Sequence, residues 1–491
     1  MSSPESSRCF SDLPRRMLGK KSIAQIQQEA QSLGLKRTLN KWNLLSLGIG
    51  CVVGAGIFVM VGEAAGALAG PAVILSFLLT AIACGLAGLC YAEMASVLPV
   101  SGSAYTYAYA TLGEFAAWGI GTFLILEYGL AAATVAVGWS GYLVSFLGDF
   151  GIHIPPQLTA PTGTIVEIGN NETATALFNL PAFLGILAVA AFLIKGMTES
   201  SILNNIIVAV KLTVILSFII IGSFYINFDN LTPFIPAYEP STNTYGITGI
   251  FSAASMIFFA YMGFESVSTA AAEAKNPEKD MPFGMIGTLI VCTLLYMGLA
   301  FVLTGIVDYK ELIGSAAPLA IAADIMGMPW FKVCIKVGAL MGLTSVMLVL
   351  LYGMTRILLT ISQDGLLPKF LGDINPKTQT PIKNTVLVGV LAAIAAATLP
   401  ISTLGSLVSM GTLLAFCVVC GSVVYLHYNH KSLHRPFNTP FKPYIPIAGI
   451  LVCGVLIASM SFETFQHLGV YLIFALGIYF AYGFKRSALQ D

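Results

Sequence analysis

At 491 residues, with 56% of them hydrophobic and only 10% charged, the chain has the composition of an integral membrane protein and excludes an ordinary soluble globule. Its 24 basic and 24 acidic residues cancel to a formal net charge of zero. That balance argues for neither nucleic acid nor an acidic soluble partner.

The first 41 residues are polar and basic, with Arg15, Arg16, Lys20, Lys21, Lys36, Arg37 and Lys41, and lack the short apolar run of a cleavable signal. They read as a cytoplasmic arm. Apolar residues at 23, 26, 30 and 33 predict an amphipathic helix over Ile23–Leu35, docked on the membrane surface or on the helix bundle.

Crossing a hydrocarbon core takes about 20 apolar residues per helix. Twelve segments qualify, at roughly 43–68, 71–98, 114–147, 180–195, 201–226, 247–272, 283–306, 331–361, 384–400, 404–428, 444–460 and 467–484. Cytoplasmic loops retain Lys and Arg. With the N-terminus inside, twenty of the 24 basic residues are cytoplasmic, Lys310, Lys332 and Lys336 lie outside, and Lys211 lies within a span. The asymmetry predicts both termini in the cytoplasm, in a cell or inner membrane.

Span one carries the first interruption. Gly48, Gly50, Gly54 and Gly56 crowd together and are followed at once by Ile57-Phe-Val-Met60. Glycine permits backbone conformations that a helix does not, so an unwound turn is expected at Gly54-Ala-Gly56, in preference to a seam of small packing residues. The start of the resuming half-helix would present free N–H groups and a positive dipole end to an anion, such as an amino acid carboxylate.

Two ionisable residues follow inside spans, where charge is costly and functional by default. Glu127 lies about thirteen residues into span three, or roughly 20 Å along a helix rising about 1.5 Å per residue, near mid-membrane. Lys211 is about ten residues into span five, among apolar neighbours in sequence. Apolar surroundings penalise the charged form of either group. Both are candidates to carry a coupling proton, with a permanent ion pair as the alternative for each.

The second interruption is in span six, at the matching place of the second half. Around Phe259-Ala-Tyr-Met-Gly263, carbonyls released by unwinding can accept from an ammonium, and the aromatics can close over a solute. N–H groups on one side and carbonyls on the other fit a zwitterion. Glu265 follows directly, either as a cap of the resuming half-helix or as a functional carboxylate. Broken helices at matching positions of two halves are the pattern of a secondary transporter's binding site.

The nine cysteines are scattered through apolar spans and read as small buried hydrophobes. Cys417 and Cys420 form a CxxC without nearby His or Cys partners, so no zinc site is expected there. His427, His430 and His434 read as interfacial loop residues in preference to a metal site. Asn171-Glu-Thr173 and Asn230-Leu-Thr232 fit the glycosylation triplet in predicted outside loops.

Several motifs in fixed order resemble the amino acid/polyamine/organocation superfamily, and more closely its cationic amino acid transporter branch with bacterial homologues. They are Gly54-Ala-Gly-Ile-Phe58, Cys90-Tyr-Ala-Glu-Met-Ala95 with Val100-Ser-Gly-Ser-Ala-Tyr105, and Phe259-Ala-Tyr-Met-Gly-Phe-Glu265 running on to Glu273-Ala-Lys-Asn-Pro277. Asp364-Gly-Leu-Leu-Pro368 and Arg435-Pro-Phe-Asn-Thr-Pro440 complete the set.

The resemblance implies an all-α membrane fold of twelve helices, a five-plus-five inverted repeat with two extra helices. The parts would be the arm at 1–41, the first repeat at 42–226, the second at 227–428, the last two spans at 429–484 and a cytoplasmic tail at 485–491. It implies that a substrate carboxylate meets Val52, Gly54, Ala55 and Gly56, and that the amine meets Phe259, Ala260 and Met262. Thr344 and Ser345 match the span-eight part of the cation site of sodium-coupled relatives, and Lys211 would place its ammonium there in place of sodium. The chain departs from the pattern at Ala55, where close relatives often carry threonine, at Glu265 for a commoner aspartate, and at Gln363 where arginine is frequent.

The expected function is secondary active transport of L-amino acids, cationic or small neutral, with Glu127 able to meet a cationic side chain and protons as the coupling ion. Exchange of one amino acid for another, with Lys211 as a fixed charge, is the alternative; a non-transporting sensor is a third. No cofactor, metal or enzymatic activity is expected, because no span pairs a nucleophile with a base.

Overall fold

In a computed structural model the described residues are 19–20, 39–98, 103–169, 172–195, 201–240, 242, 244–271, 274–315, 317–376, 378, 380–431 and 433–487. The amphipathic helix expected over 23–35, the Val100-Ser-Gly102 part of one motif, Asn171 and Glu273 lie outside them.

Eight helical stretches among the described residues are long and apolar enough to cross a membrane, and three shorter apolar helices accompany them. The chain opens with α1 (Lys41–Val52), capped by the Asn40 side chain, which accepts from the N–H groups of Trp42 and Asn43. The chain resumes in π-helical turns from Gly56–Met60 to Ala64–Ala69 and stops at Gly70, where φ is +61°. That conformation suits glycine. Then come α2 (Val73–Val97), α3 (Ser103–Thr111) and the 36-residue α4 (Glu114–Asp149).

A short antiparallel hairpin of β1 (Ile165–Gly169) and β2 (Glu172–Thr175) precedes α5 (Leu180–Ile194) and α6 (Ser201–Gly222). Helix α7 (Gly246–Ile257) tightens into a 3-10 turn over Phe258–Tyr261 before the chain breaks. The remaining helices are α8 (Pro277–Ile306), α9 (Pro318–Ile325), α10 (Pro329–Gln363), α11 (Ile382–Thr398), α12 (Ile401–Asn429), α13 (Tyr444–Ala458) and α14 (Phe462–Ile478).

Helix α4 lies at the centre, packed against α10 and α12, while α8 packs against both α1 and α2. Large apolar side chains such as Leu294, Leu391, Val470 and Ile473 remain exposed on the outer helices. In water such a surface would drive association; in a bilayer it is the solvated face.

The bundle is fastened at each end by buried charge. At one end Glu93 of α2 is fully buried and accepts from Lys442 and from the Thr439 N–H at 3.0 Å, with Arg435 at 3.8 Å. At the other, Lys336 of α10 is fully buried and donates to Asp149 at 2.5 Å and to the Ser145 carbonyl at 2.8 Å. Lys332 joins the same Asp149 to Asp324 of α9. From the arm, Lys20 donates to the Tyr425 hydroxyl at 2.7 Å, and the Gly19 carbonyl accepts from the Glu114 N–H at 2.9 Å.

One sequence expectation shifts. The unwound turn expected at Gly54-Ala-Gly56 sits instead at Val53-Gly54, and Ala55 is already helical, with φ −59° and ψ −26°. Gly56 is required for a different reason. A Cβ there would stand 2.3 Å from the Ala260 Cα, so glycine lets the two broken segments touch.

Candidate functional site

Two helix interruptions face each other at the centre of the bundle. In the first, α1 ends at Val52 and Val53 turns extended, with φ −73° and ψ 94°. The first N–H groups of a helix and its last carbonyls have no partners within it. Here the N–H groups of Gly54, Ala55 and Gly56 open the resuming half, and the carbonyls from Gly50 to Val53 close the first, the Ile49 carbonyl still accepting from the Val53 N–H at 2.9 Å. All of these residues are buried. Gly54 packs against Val346 of α10, at 3.1 Å from a virtual Cβ.

The second interruption follows the 3-10 turn at Phe258–Tyr261 and is set by Gly263, with φ +111°. A Cβ there would meet the Cys51 backbone at 3.0 Å, a second point where the breaks abut. Met262 donates back to the Phe259 carbonyl at 3.1 Å, while the Phe259 N–H is taken by the Ser409 hydroxyl of α12 at 3.0 Å. Phe259, Ala260 and Met262 are buried at this turn.

Glu265 lies inside the second break. Both its carboxylate oxygens accept from the Gly263 N–H, at 3.0 and 2.9 Å, so it binds the backbone of the break itself and its side chain does not cap the short helix Ser266–Thr269 that resumes after it. The carboxyl of Glu127 from α4 lies beside that of Glu265. Glu127 is buried, with the Thr412 hydroxyl of α12 beside it, and its Oε1 has no hydrogen-bond partner among the described residues. Two carboxylates in contact repel, and a shared proton removes the repulsion. The two acidic side chains thus lie together beside the second break.

Lys211 of α6 is 1% exposed, and its ammonium donates to the Gly50 carbonyl at 2.9 Å and the Val53 carbonyl at 3.1 Å. These are carbonyls at the end of α1, where the helix dipole is negative. The lysine that looks surrounded by apolar residues in sequence is thus held by the backbone of the first break. Its stem packs on Gly342 of α10, where a Cβ would stand 3.2 Å from the Lys211 Cε.

Of the expected cation-site pair, Thr344 is exposed and spends its hydroxyl on the Leu340 carbonyl of its own helix at 2.7 Å. Ser345 is buried and donates to Gly342 at 2.9 Å. The structure thus brings Val52, Gly54, Ala55, Gly56, Phe259, Ala260 and Met262 together at the two breaks, sets Glu127 and Glu265 beside them, and points Thr344 away.

Sequence reasoning missed three polar side chains. Tyr296 of α8 places its hydroxyl 2.8 Å from both the Val52 and Ala260 carbonyls. Ser409 bonds the Phe259 N–H, and the Tyr128 hydroxyl of α4 meets Ser266 at 3.0 Å. None carries a charge or a motif; only a tyrosine or serine within a long apolar span could have drawn attention to them.

Comparison with known proteins gives a consistent answer. A sequence profile described as amino acid permease matches residues 39–481. The chain is 42% identical over 471 residues to the methylthioribose transporter of Bacillus subtilis (strain 168), covering 96% of this chain and 98% of that protein. It is 42% identical over 473 residues to the branched-chain amino acid permease BcaP of the same organism, again covering 96% and 98%. It is also 34% identical over 400 residues to cationic amino acid transporter 4, vacuolar, of Arabidopsis thaliana, covering 80% of this chain and 64% of that protein.

Proposed function

The chain belongs to the amino acid permease family, and from that premise we propose that it is a proton-coupled secondary transporter of L-amino acids, cationic and small neutral. The observation that carries the reading is the contact of the two breaks. The N–H groups at Gly54, Ala55 and Gly56, at the start of the resuming half-helix, suit a carboxylate, and carbonyls at Phe259, Ala260 and Met262 suit an ammonium. A Cβ on Gly56 would lie 2.3 Å from Ala260, close enough for one small zwitterion to engage both.

Twelve membrane helices arranged as a five-plus-five inverted repeat, with both termini cytoplasmic, give these breaks their place at the interface of two moving parts. Coupling uses Lys211 and the Glu127–Glu265 pair. A protonated Lys211 ties α6 to the end of α1. Hydrogen bonds from charged donors are worth about 1.5–3 kcal/mol against about 0.5–1.5 for neutral ones, so loss of the proton loosens that tie and favours the orientation in which α1 moves.

Exchange without proton coupling is the second reading. It is favoured by the same Lys211 bonds, because an ammonium held by two carbonyls would serve as a fixed structural cation. The likeness to a protein named methylthioribose transporter adds a substrate to be tested.

Uptake into proteoliposomes preloaded with unlabelled leucine, alanine, arginine or methylthioribose tests the substrate. The proposal expects the amino acids to drive counterflow, and their analogues lacking either the carboxylate or the amine to fail. Counterflow by methylthioribose alone would overturn the zwitterion reading.

A further inference from the structure

Tyr296 is fully buried in α8, and its hydroxyl stands 2.8 Å from the Val52 carbonyl of the first break and 2.8 Å from the Ala260 carbonyl of the second. A phenol has one proton to donate. It can therefore serve one of these carbonyls well or both poorly, and it cannot satisfy both fully at once. The ring is held between aromatic neighbours, with centroids 5.5 Å from Phe77 and 5.3 Å from Tyr261, in tilted and edge-on arrangements. With the ring fixed, the adjustable element is the direction of the O–H bond.

Each acceptor belongs to a different broken helix, and Ala260 lies in the carbonyl turn that the proposed site offers to an amine. We infer that Tyr296 is a positioning residue that senses occupancy, donating to Ala260 until a substrate ammonium takes that carbonyl and then donating to Val52. The bond gained by Val52 strengthens the end of α1 next to Val53, one of the carbonyls that hold Lys211. Occupancy of the second break is thereby reported to the first through one rotating hydroxyl. This rests on the amino acid reading given above, with the amine on the second break.

If Tyr296 competes with the substrate amine for Ala260, removing its hydrogen bond tightens binding. Tyr296→Phe keeps the ring and its packing while releasing Ala260 from the competing donor. Amino acid binding by the purified full chain in detergent should tighten by roughly two- to tenfold, the worth of one hydrogen bond, while the maximal rate of gradient-driven uptake falls. Hydrogen exchange of the segment 45–55 should slow on adding leucine to the wild type. It should not slow with 4-methylpentanoate, which lacks the amine, and it should not slow with either in Tyr296→Phe.

A merely structural tyrosine would leave binding unchanged or weaker and preserve the exchange response. Either result overturns the inference. The wild-type arm stands without the variant, so a poorly folded Tyr296→Phe leaves a decision: an equal response of segment 45–55 to leucine and 4-methylpentanoate overturns it too. Failure of the wild type to bind any amino acid would sink the substrate reading and this inference together. Binding without a Tyr296 effect would sink the inference alone.

Discussion

The Lys211 ammonium donates to the Gly50 carbonyl at 2.9 Å, from one helix to the end of another. With its bond to Val53 at 3.1 Å, it straddles the last turn of α1 where the chain leaves the helix. A lysine buried to 1% exposure needs partners for its charge. Here the released carbonyls of a broken helix supply them, as they would for a metal cation. The Ser46 hydroxyl of α1 also meets Asn205 of α6 at 2.8 Å, so the two helices are joined at more than one level.

Gly56→Val should abolish substrate binding. A Cβ at that position would lie 2.3 Å from the Ala260 Cα and 2.4 Å from its Cβ, and backbone cannot give way as a side chain can. Overpacking typically costs about 1–3 kcal/mol, so the melting temperature should fall as well. Gly54→Ala meets only Val346 methyl groups at 3.1 and 3.3 Å and should be the milder change in a thermal-shift and binding comparison.

Glu127→Gln keeps the shape of the buried side chain but removes its titratable proton from the contact with Glu265. Exchange of labelled amino acid should persist, while accumulation driven by a proton gradient should collapse toward the level without a gradient. Equal loss of both activities would assign Glu127 to substrate binding instead of coupling.

Glu93→Gln should destabilise the fold without touching the site. Glu93 is fully buried and balances Lys442 and Arg435, whose side chains are 8% and 9% exposed. Breaking a buried pair by removing one partner costs about 3–5 kcal/mol. The measurement is thermal stability in detergent, with substrate affinity of the surviving folded fraction expected unchanged.

Asp149→Asn strips the countercharge from Lys336, whose side chain is 1% exposed, and should likewise lower stability markedly. Asp373→Asn offers the control. Its partner Lys383 is 2.9 Å away, but the two side chains are 63% and 56% exposed, and such surface pairs are worth about 0–1 kcal/mol.

Much of this was legible in the chain, and the reasons differ by residue. Clustered glycines within an apolar span announce a broken helix, yet the break falls at Val53-Gly54, and Gly56 serves the close contact with Ala260, a neighbour 204 positions away in sequence. The depth of Lys211 in its span was readable, but its carbonyl partners at Gly50 and Val53 arise only when α6 packs on α1. Thr344 shows the opposite case. Its motif position suggests a ligand, but the helix turns it outward and Leu340 takes its hydroxyl, while Gly342 meets the lysine stem. Tyr296 left no local signal, since its role depends on two carbonyls from separate breaks.

The most direct test of the central claim is gradient-driven accumulation in proteoliposomes without internal substrate, comparing the wild type with Lys211→Ala. The account predicts that an inward proton gradient drives the wild type to accumulate amino acid, and that Lys211→Ala loses this response while still exchanging labelled for unlabelled substrate. Wild-type uptake that ignores the gradient and requires internal amino acid would contradict it, and would make Lys211 a fixed charge in an exchanger.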